Sequence, residues 1–358
     1  VSARAAVVVE PGFHTVKGPF HANEDRLGVV LDLREAGAPP GLLDRPITLA
    51  LMCDGHDGST CADFLTRGGF LAALFGALRG AAAGGAAGGA GGGGMVAAVA
   101  AAAAAAAAVG GVGGKAPVGF PLPVSPDWKA IMVATFAAAE AGWIAHVAAR
   151  RTGRRGGTGA AALSGACVTA MLLDGTTLVA ANVGDCRAVL VPLAEAGAGG
   201  SLAAGRAAAA GAVVLTTDHR AAAPAERARM VRLAGPNVVR AGRVLGVLEP
   251  SRTIGDLGEK ARTRPGVISV EPDVTVTTLP TGGGGSADAA PTAAIVLATD
   301  GVWDTLATSC VATVVGGMCA AAAAPTATAA NIASAARAGG SQDDISCIVM
   351  TVRPALGV

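Results

Sequence analysis

The spacing of apolar and polar positions divides the chain into short strand-like runs and longer helical ones. Runs of strand length fall at Leu27–Leu33, Ile47–Met52, Ala166–Leu173, Thr177–Asn182, Ala188–Pro192, Ala212–Leu215, Val270–Leu279, Ala294–Ala298 and Ile345–Val352. The helical period predicts helices over Ser59–Leu78, Asp127–Arg151, Ala223–Leu233, Trp303–Thr308, Ser309–Ala324 and Thr326–Ala338. Asp174-Gly175 stands between two of the strand runs and is a hairpin turn signal, so neighbouring strands are expected to pair antiparallel. Many short strands with a few long helices predict an α+β domain of antiparallel sheets covered by helices.

Three stretches interrupt this pattern. Residues 80–126, 194–211 and 281–291 are rich in alanine and glycine and lack the periodicity that places a segment in a core, so each is expected to be a low-complexity insert. Met95–Val109 imitates a membrane span, but alanine is barely favourable in lipid and glycines flank it, so it too reads as insertion. What remains of the 358 residues is ample for one domain, 1–358, with a core of about 12–353.

Composition narrows the function. The formal net charge is +1 with both signs interspersed, which disfavours nucleic acid as a partner. The seven cysteines are scattered and form no CxxC pair, which fits neither a disulfide scaffold nor a zinc–thiolate site and suits a reducing compartment. The first residue is Val1 rather than methionine, so processing or truncation is expected, and the cytosol, nucleus and plastid stay open as locations.

The candidate chemistry lies in aspartates at strand ends. Leu49–Cys53 runs into Asp54-Gly55 and Ile295–Thr299 into Asp300-Gly301, while Leu178–Val183 reaches Gly184-Asp185 and Asp343-Asp344 precedes Ile345–Val352. Any one Asp-Gly, taken singly, is a turn. In antiparallel sheets, however, the ends of some strands and the starts of others share an edge, so Asp54, Asp185, Asp300 and Asp343 can converge there with Glu24-Asp25. Clustered carboxylates repel unless cations neutralise them, and all-oxygen ligation favours magnesium or manganese over zinc. Two such ions could deprotonate a water for in-line attack on phosphorus.

In chain order, Asn23–Arg26, Asp54–Gly58, Ala181–Ala188, Leu215–His219, Ser251–Asp256, Ala298–Asp304 and Gly340–Ser346 resemble the motifs of the protein phosphatase 2C family, in a plant- and green-alga-like form. The resemblance implies two antiparallel sheets sandwiched between helices and hydrolysis of phosphoserine and phosphothreonine in proteins. It also implies two Mg2+ or Mn2+ ions per site. By the same resemblance Asp54 bridges both metals, the Gly55 carbonyl, Asp300 and Asp343 complete the ligands, and Glu24 and Asp25 contact metals or their waters. Asp185 and Asp304 match a third, weaker metal position, and His56 matches the general acid. The partner expected is a phosphorylated protein substrate, with the chain acting as a monomer.

Three departures stand out. Phe20 occupies the position of a phosphate-binding arginine, for which Lys17 or Arg26 could substitute; Asp57 adds a carboxylate beside His56; Asp344 replaces an asparagine and is expected to add charge at the rim. An Arg252–Asp256 ion pair is expected to shape a turn. The segment 222–242 corresponds to the family's variable flap, and Arg227, Arg229, Arg232 and Arg240 in it suggest acidic flanks on a phosphopeptide. Loss of the arginine at Phe20 leaves open a catalytically weak pseudophosphatase acting as a binding module, and a two-metal nuclease is a second alternative.

Overall fold

Alternation along β3 (Ile47–His56) sets the architecture. Leu49, Leu51 and Cys53 join one apolar cluster, while Ala50 and Met52 on the other face join a second. A strand apolar on both faces needs a layer on each side. The computed structural model, which describes residues 7–86, 121–151, 163–193, 200–279 and 290–354, supplies both layers.

One sheet runs β11 (Asp273–Thr278), β5 (Thr177–Val183), β4 (Gly165–Asp174), β3 and β2 (Arg26–Val30), with β10 (Ile254–Gly255) against the start of β4. The other runs β1 (Val7–Val16), β13 (Ile345–Pro354), β12 (Ala293–Ala298), β6 (Arg187–Pro192) and β7 (Val213–Val214). Every pairing in both is antiparallel. Met52, Met171, Ile295 and Ile348 fill the space between the sheets. Outside the first sheet, α1 (Thr60–Phe64), a kink at Leu65–Gly69, α2 (Phe70–Ala86) and α3 (Trp128–Arg151) bury Phe70, Phe136 and Trp143. The second sheet carries α8 (Thr308–Ala320) and α9 (Pro325–Ala338) through Val311, Val315 and Ile332. Helix, sheet, sheet and helix thus form the expected four-layer α+β sandwich.

By length and composition, Thr60–Ala83 and Trp128–Arg150 are apolar enough to cross a membrane, but they pack on the first sheet. The Met95–Val109 tract lies outside the described residues.

Several elements depart from the pattern reading. Val7–Val16 is a strand that Pro11-Gly12 conceals; it lies at the sheet edge, where a proline's missing N–H breaks no essential ladder bond. The sheet therefore starts before residue 12 and ends at Pro354. The predicted helix over Trp303–Thr308 is instead α7 (Asp300–Trp303) and a turn before α8. The second insert is not all loop: Gly200–Gly211 forms helix α4. Gly205 and Gly316 explain its docking on α8, since an added Cβ would lie 2.7 Å from the Thr313 carbonyl oxygen and 2.4 Å from the Ala208 Cβ respectively. Small residues here are a packing surface rather than a sign of looseness. In the first insert α2 runs on to Ala86 and Leu122 is buried, with residues 87–120 outside the described range; residues 280–289 of the third region are outside it as well.

The segment between β7 and β10 has a small core in which Ala221, Met230, Val238 and Val244 gather around helix α5 (Pro224–Ala234), joined by Val267 from beyond β10. Buried Glu226 ties it down, receiving bonds from Arg229 (2.7 Å), Ser251 (2.7 Å) and Arg252 (2.8 Å).

Candidate active site

Strand register assembles the site. Ala298, the last residue of β12, pairs with Cys347 near the start of β13 and with Arg187 at the start of β6. In the facing sheet, His56 at the end of β3 pairs with Gly165 at the start of β4, and Val183 ends β5 opposite Val168. The same edge therefore receives Asp54, Asp185, Asp300 and Asp343. The expected turn at Asp54-Gly55 is not there. β3 continues through both to His56, and the chain turns at Asp57 and Gly58, whose φ values are 53° and 104°. Gly55 serves close approach instead: a Cβ on it would lie 2.5 Å from the Glu24 carbonyl oxygen, so its lack of a side chain brings Glu24 beside Asp54.

The remaining contacts knit the carboxylates together. Thr299 Oγ1 donates to Asp25 at 3.3 Å, Cys167 Sγ to Asp185 at 3.2 Å, and Cys186 Sγ lies 3.9 Å from Asp54. Asp343 accepts the Asp344 amide at 2.8 Å. Removal from water is the largest effect on these acids, and their mutual repulsion adds to it. Asp54 is held well above the ordinary carboxylate range by burial and then by Asp300, Asp25, Asp185 and Asp343. Asp300 is raised similarly by burial, Asp185, Asp343 and Asp304, and Asp25 is pushed up to about 7, mainly by burial. Burial also raises Asp185, against the pull of Arg220.

Among the described residues, no three metal-ligating side chains already form a closed cage. The donor chemistry nevertheless fits hard divalent cations. The converging groups are carboxylates and a backbone carbonyl, and the raised proton affinities of Asp54 and Asp300 show negative charge in excess of the positive charge beside them. Glu24, Asp25, Asp54, Gly55, Asp185, Asp300, Asp304 and Asp343 are all brought to this edge.

The cation that the site does contain is Arg220, which the motif reading passed over. Its guanidinium meets Asp304 at 2.6 Å, Asp185 at 3.2 Å, Glu249 at 3.2 Å and Asp300 at 3.7 Å. The backbone puts it there, because the His219 amide donates to the Gly184 carbonyl at 2.8 Å and moors this loop beside Asp185. A signal was available: Arg220 directly follows the Leu215–His219 motif.

Phe20 is 81% exposed and lines a cleft of about 410 Å³ with His21, Asp300, Asp304, Ser341 and Asp343. Arg26 cannot replace the arginine missing there, since it is spent on Asp63 (2.8 Å) and on the carbonyls of Asn23 and Asp25. Lys17 is exposed, and its side chain makes no ion pair among the described residues. Asp344 is not at the rim. It is buried and accepts the amides of Gly18 (2.6 Å) and Glu24 (2.7 Å), so it ties the Glu24-Asp25 segment to the start of β13.

His56 Nε2 lies 2.9 Å from both oxygens of Asp256. Burial lowers the histidine's proton affinity, but Asp256 outweighs it, with Asp57 adding to the rise as expected. The expected Arg252–Asp256 pair does not form. Arg252 binds Glu226 and Asp273, while Asp256 holds His56 and Thr253. His219 reaches Asp273 at 3.1 Å, fixing its loop, and Trp303 is buried with its indole N–H on the Ala298 carbonyl. The flap's basic character is partly consumed too: Arg229 binds Glu226 and three carbonyls, and Arg240 binds the Asn237 carbonyl.

The comparisons agree with this geometry. A family model described as protein phosphatase 2C matches residues 129–345. Probable protein phosphatase 2C 32 of Oryza sativa subsp. japonica is 37% identical over 140 residues, which cover 38% of this chain and 28% of that protein. Probable protein phosphatase 2C 75 of Arabidopsis thaliana is 33% identical over 147 residues, covering 41% and 28%. The match thus spans under a third of the length of either relative. Among solved structures, a C. elegans sex determining protein superposes with a TM-score of 0.62 at 16% identity, over 97% of this chain and 65% of that one. Serine-threonine phosphatase 2C from Toxoplasma gondii gives 0.59 at 14% identity, over 99% of each chain. At such identities the likeness is one of fold.

Proposed function

The chain belongs to the protein phosphatase 2C family, and from that footing we propose that it is a metal-dependent hydrolase of phosphoserine and phosphothreonine in proteins. The observation that carries this reading is the edge itself, where carboxylates from both sheets meet beside an open cleft with Arg220 as their neighbouring cation. Asp54, the Gly55 carbonyl, Asp300 and Asp343, with Glu24 and Asp25, would hold two Mg2+ or Mn2+ ions, and Asp185 with Asp304 a third, weaker one. When bound, such ions lower the pKa of a water and neutralise phosphate charge.

The chain's own groups do the rest. Asp256 raises the proton affinity of His56 against the effect of burial and fixes Nε2, leaving Nδ1 free to deliver a proton to the departing serine or threonine oxygen. Asp344 anchors Glu24 through its amide and so holds the acidic segment against β13. Exposed Phe20 supplies an apolar wall at the cleft in place of a bidentate guanidinium.

The direct test is phosphate release from a phosphothreonine peptide with and without Mn2+, for wild type and Asp54→Ala. Metal-dependent turnover that disappears in a folded Asp54→Ala protein is expected. A near-normal rate in the variant would sink the metal assignment, and faster cleavage of a phosphodiester would favour a nuclease.

A further inference from the structure

Away from the acidic cleft, a groove of about 690 Å³ lies between the α1–α2 kink and α3, a volume typical of ligand-sized sites. Its walls include Thr60, Asp63, Phe64, Arg67, His146 and Arg150. The kink makes the groove. Arg67 leaves helical geometry at ψ 17°, and Gly68 follows at φ 118°, a value that favours glycine. Gly69 then packs so closely that a Cβ would sit 2.6 Å from the Phe64 ring. Opposite, the His146 ring lies 5.0 Å from Phe64 and is stacked 5.6 Å from Trp143, giving the groove an aromatic base.

The charge in the groove is unbalanced. Asp63, its one carboxylate, is claimed from behind by Arg26 at 2.8 Å and by the Ser59 hydroxyl at 3.2 Å. Arg67 touches it only at 3.5 Å and is 80% exposed, while exposed Arg150 makes no ion pair among the described residues. Burial and Arg150 together lower the proton affinity of His146, which lines the groove together with Arg67 and Arg150. The groove is therefore apolar at its base and positive at its rim.

It also adjoins the reaction edge. Thr60 comes four residues after His56, and Arg26, which holds Asp63, directly follows Asp25. On α3, Glu140 accepts the Gly255 amide at 2.8 Å, next to the Asp256 that clamps His56; Gly142 and His146 of the groove follow on the same helix. A polypeptide whose phosphorylated residue entered the cleft could extend into this groove.

The geometry points to this groove as a subsite for an acidic stretch of the protein substrate, Asp- and Glu-rich residues flanking the phosphorylated one. The assignment rests on the phosphatase reading for its setting, not for its chemistry. Arg67 and Arg150 read the carboxylates, and the Phe64–His146 base receives the aliphatic or aromatic parts of the chain. The flap arginines suggested by the sequence are in part tied up in holding the flap, whereas Arg67 makes only a long contact with Asp63 and Arg150 makes no ion pair among the described residues.

The test compares wild type with the Arg67→Ala/Arg150→Ala double variant, both loaded with Mn2+. Three substrates are used: a phosphothreonine peptide with Asp/Glu flanks, the same peptide with Ser/Ala flanks, and p-nitrophenyl phosphate. KM for the acidic peptide is expected to rise about fivefold, the scale of two solvent-exposed ion pairs, with kcat unchanged and the other two substrates unaffected. Arg67→Glu/Arg150→Glu should invert the preference toward Lys-flanked peptides. Equal KM values for acidic and neutral peptides in wild type, or the same change on all three substrates, would overturn the proposal. Fluorescence anisotropy with the unphosphorylated acidic peptide separates this from failure of the phosphatase reading. Salt-sensitive binding lost in the double variant upholds the groove even if no substrate turns over, and no binding refutes it even if all do.

Discussion

Asp25→Asn isolates what the acidic edge costs the fold. Asp25 is 5% exposed, and its affinity for a proton is raised from an ordinary 3.8 to about 7, chiefly by burial. A folded-state value above the unfolded one means that the folded protein holds the proton more tightly. Stability is then lost as pH rises from about 4 through about 7, and the penalty is complete above that. At about 1.4 kcal/mol for each tenfold in proton affinity, the burden on metal-free protein at pH 8 is on the order of 4 kcal/mol. Asparagine keeps the shape and one accepting oxygen for Thr299 but carries no charge to bury. In EDTA, Asp25→Asn should therefore melt roughly 5–7 °C above wild type at pH 8, from an unfolding entropy of about 2.1 cal/mol/K per residue, with the gap closing toward pH 5. Added Mn2+ should raise wild type steeply by mass action and the variant much less. Thermal denaturation followed by circular dichroism across pH, with and without metal, reads all of this. Wild type whose metal-free midpoint is flat from pH 5 to 8, or a variant no more stable than wild type at pH 8, would refute the argument.

Two further outcomes follow from the contacts. Arg220→Ala strips the cation from between Asp185, Asp300 and Asp304; the metal-free protein should lose on the order of 3 kcal/mol, while calorimetry should find its weakest Mn2+ site tightened severalfold. Unchanged metal affinity would mean that the arginine and the cation do not compete. Asp256→Asn removes the charge that raises the proton affinity of His56. At pH 8, kcat on a phosphothreonine peptide, whose alkoxide needs a proton, should fall about 10- to 100-fold, and kcat on p-nitrophenyl phosphate, whose phenolate leaves unaided, should hardly move. An equal fall on both would assign Asp256 to holding structure alone.

The sequence by itself determined the features that local pattern can carry. Unbroken apolar runs at Leu49–Cys53 and Ile295–Ala298 mark strands buried on both faces, and their positions relative to Asp54 and Asp300 place carboxylates at strand ends. The seven family motifs then predict the sandwich. Where a residue's role depends on a partner far along the chain, local pattern has nothing to say. His56 and Asp256 are 200 positions apart, and Asp344 reaches the amide of Glu24 across 320. Arg220 among the carboxylates is likewise a product of the loop moored to Gly184, and Arg252 could be matched to Glu226 and Asp273 only once the flap had folded. β1 and α4 escaped because the signals that break elements in isolation, Pro11 and the glycines, are tolerated at a sheet edge and required where two helices meet closely. Periodicity records which face a segment buries; only the tertiary structure decides which charges meet, because that depends on register between segments that share no sequence neighbourhood.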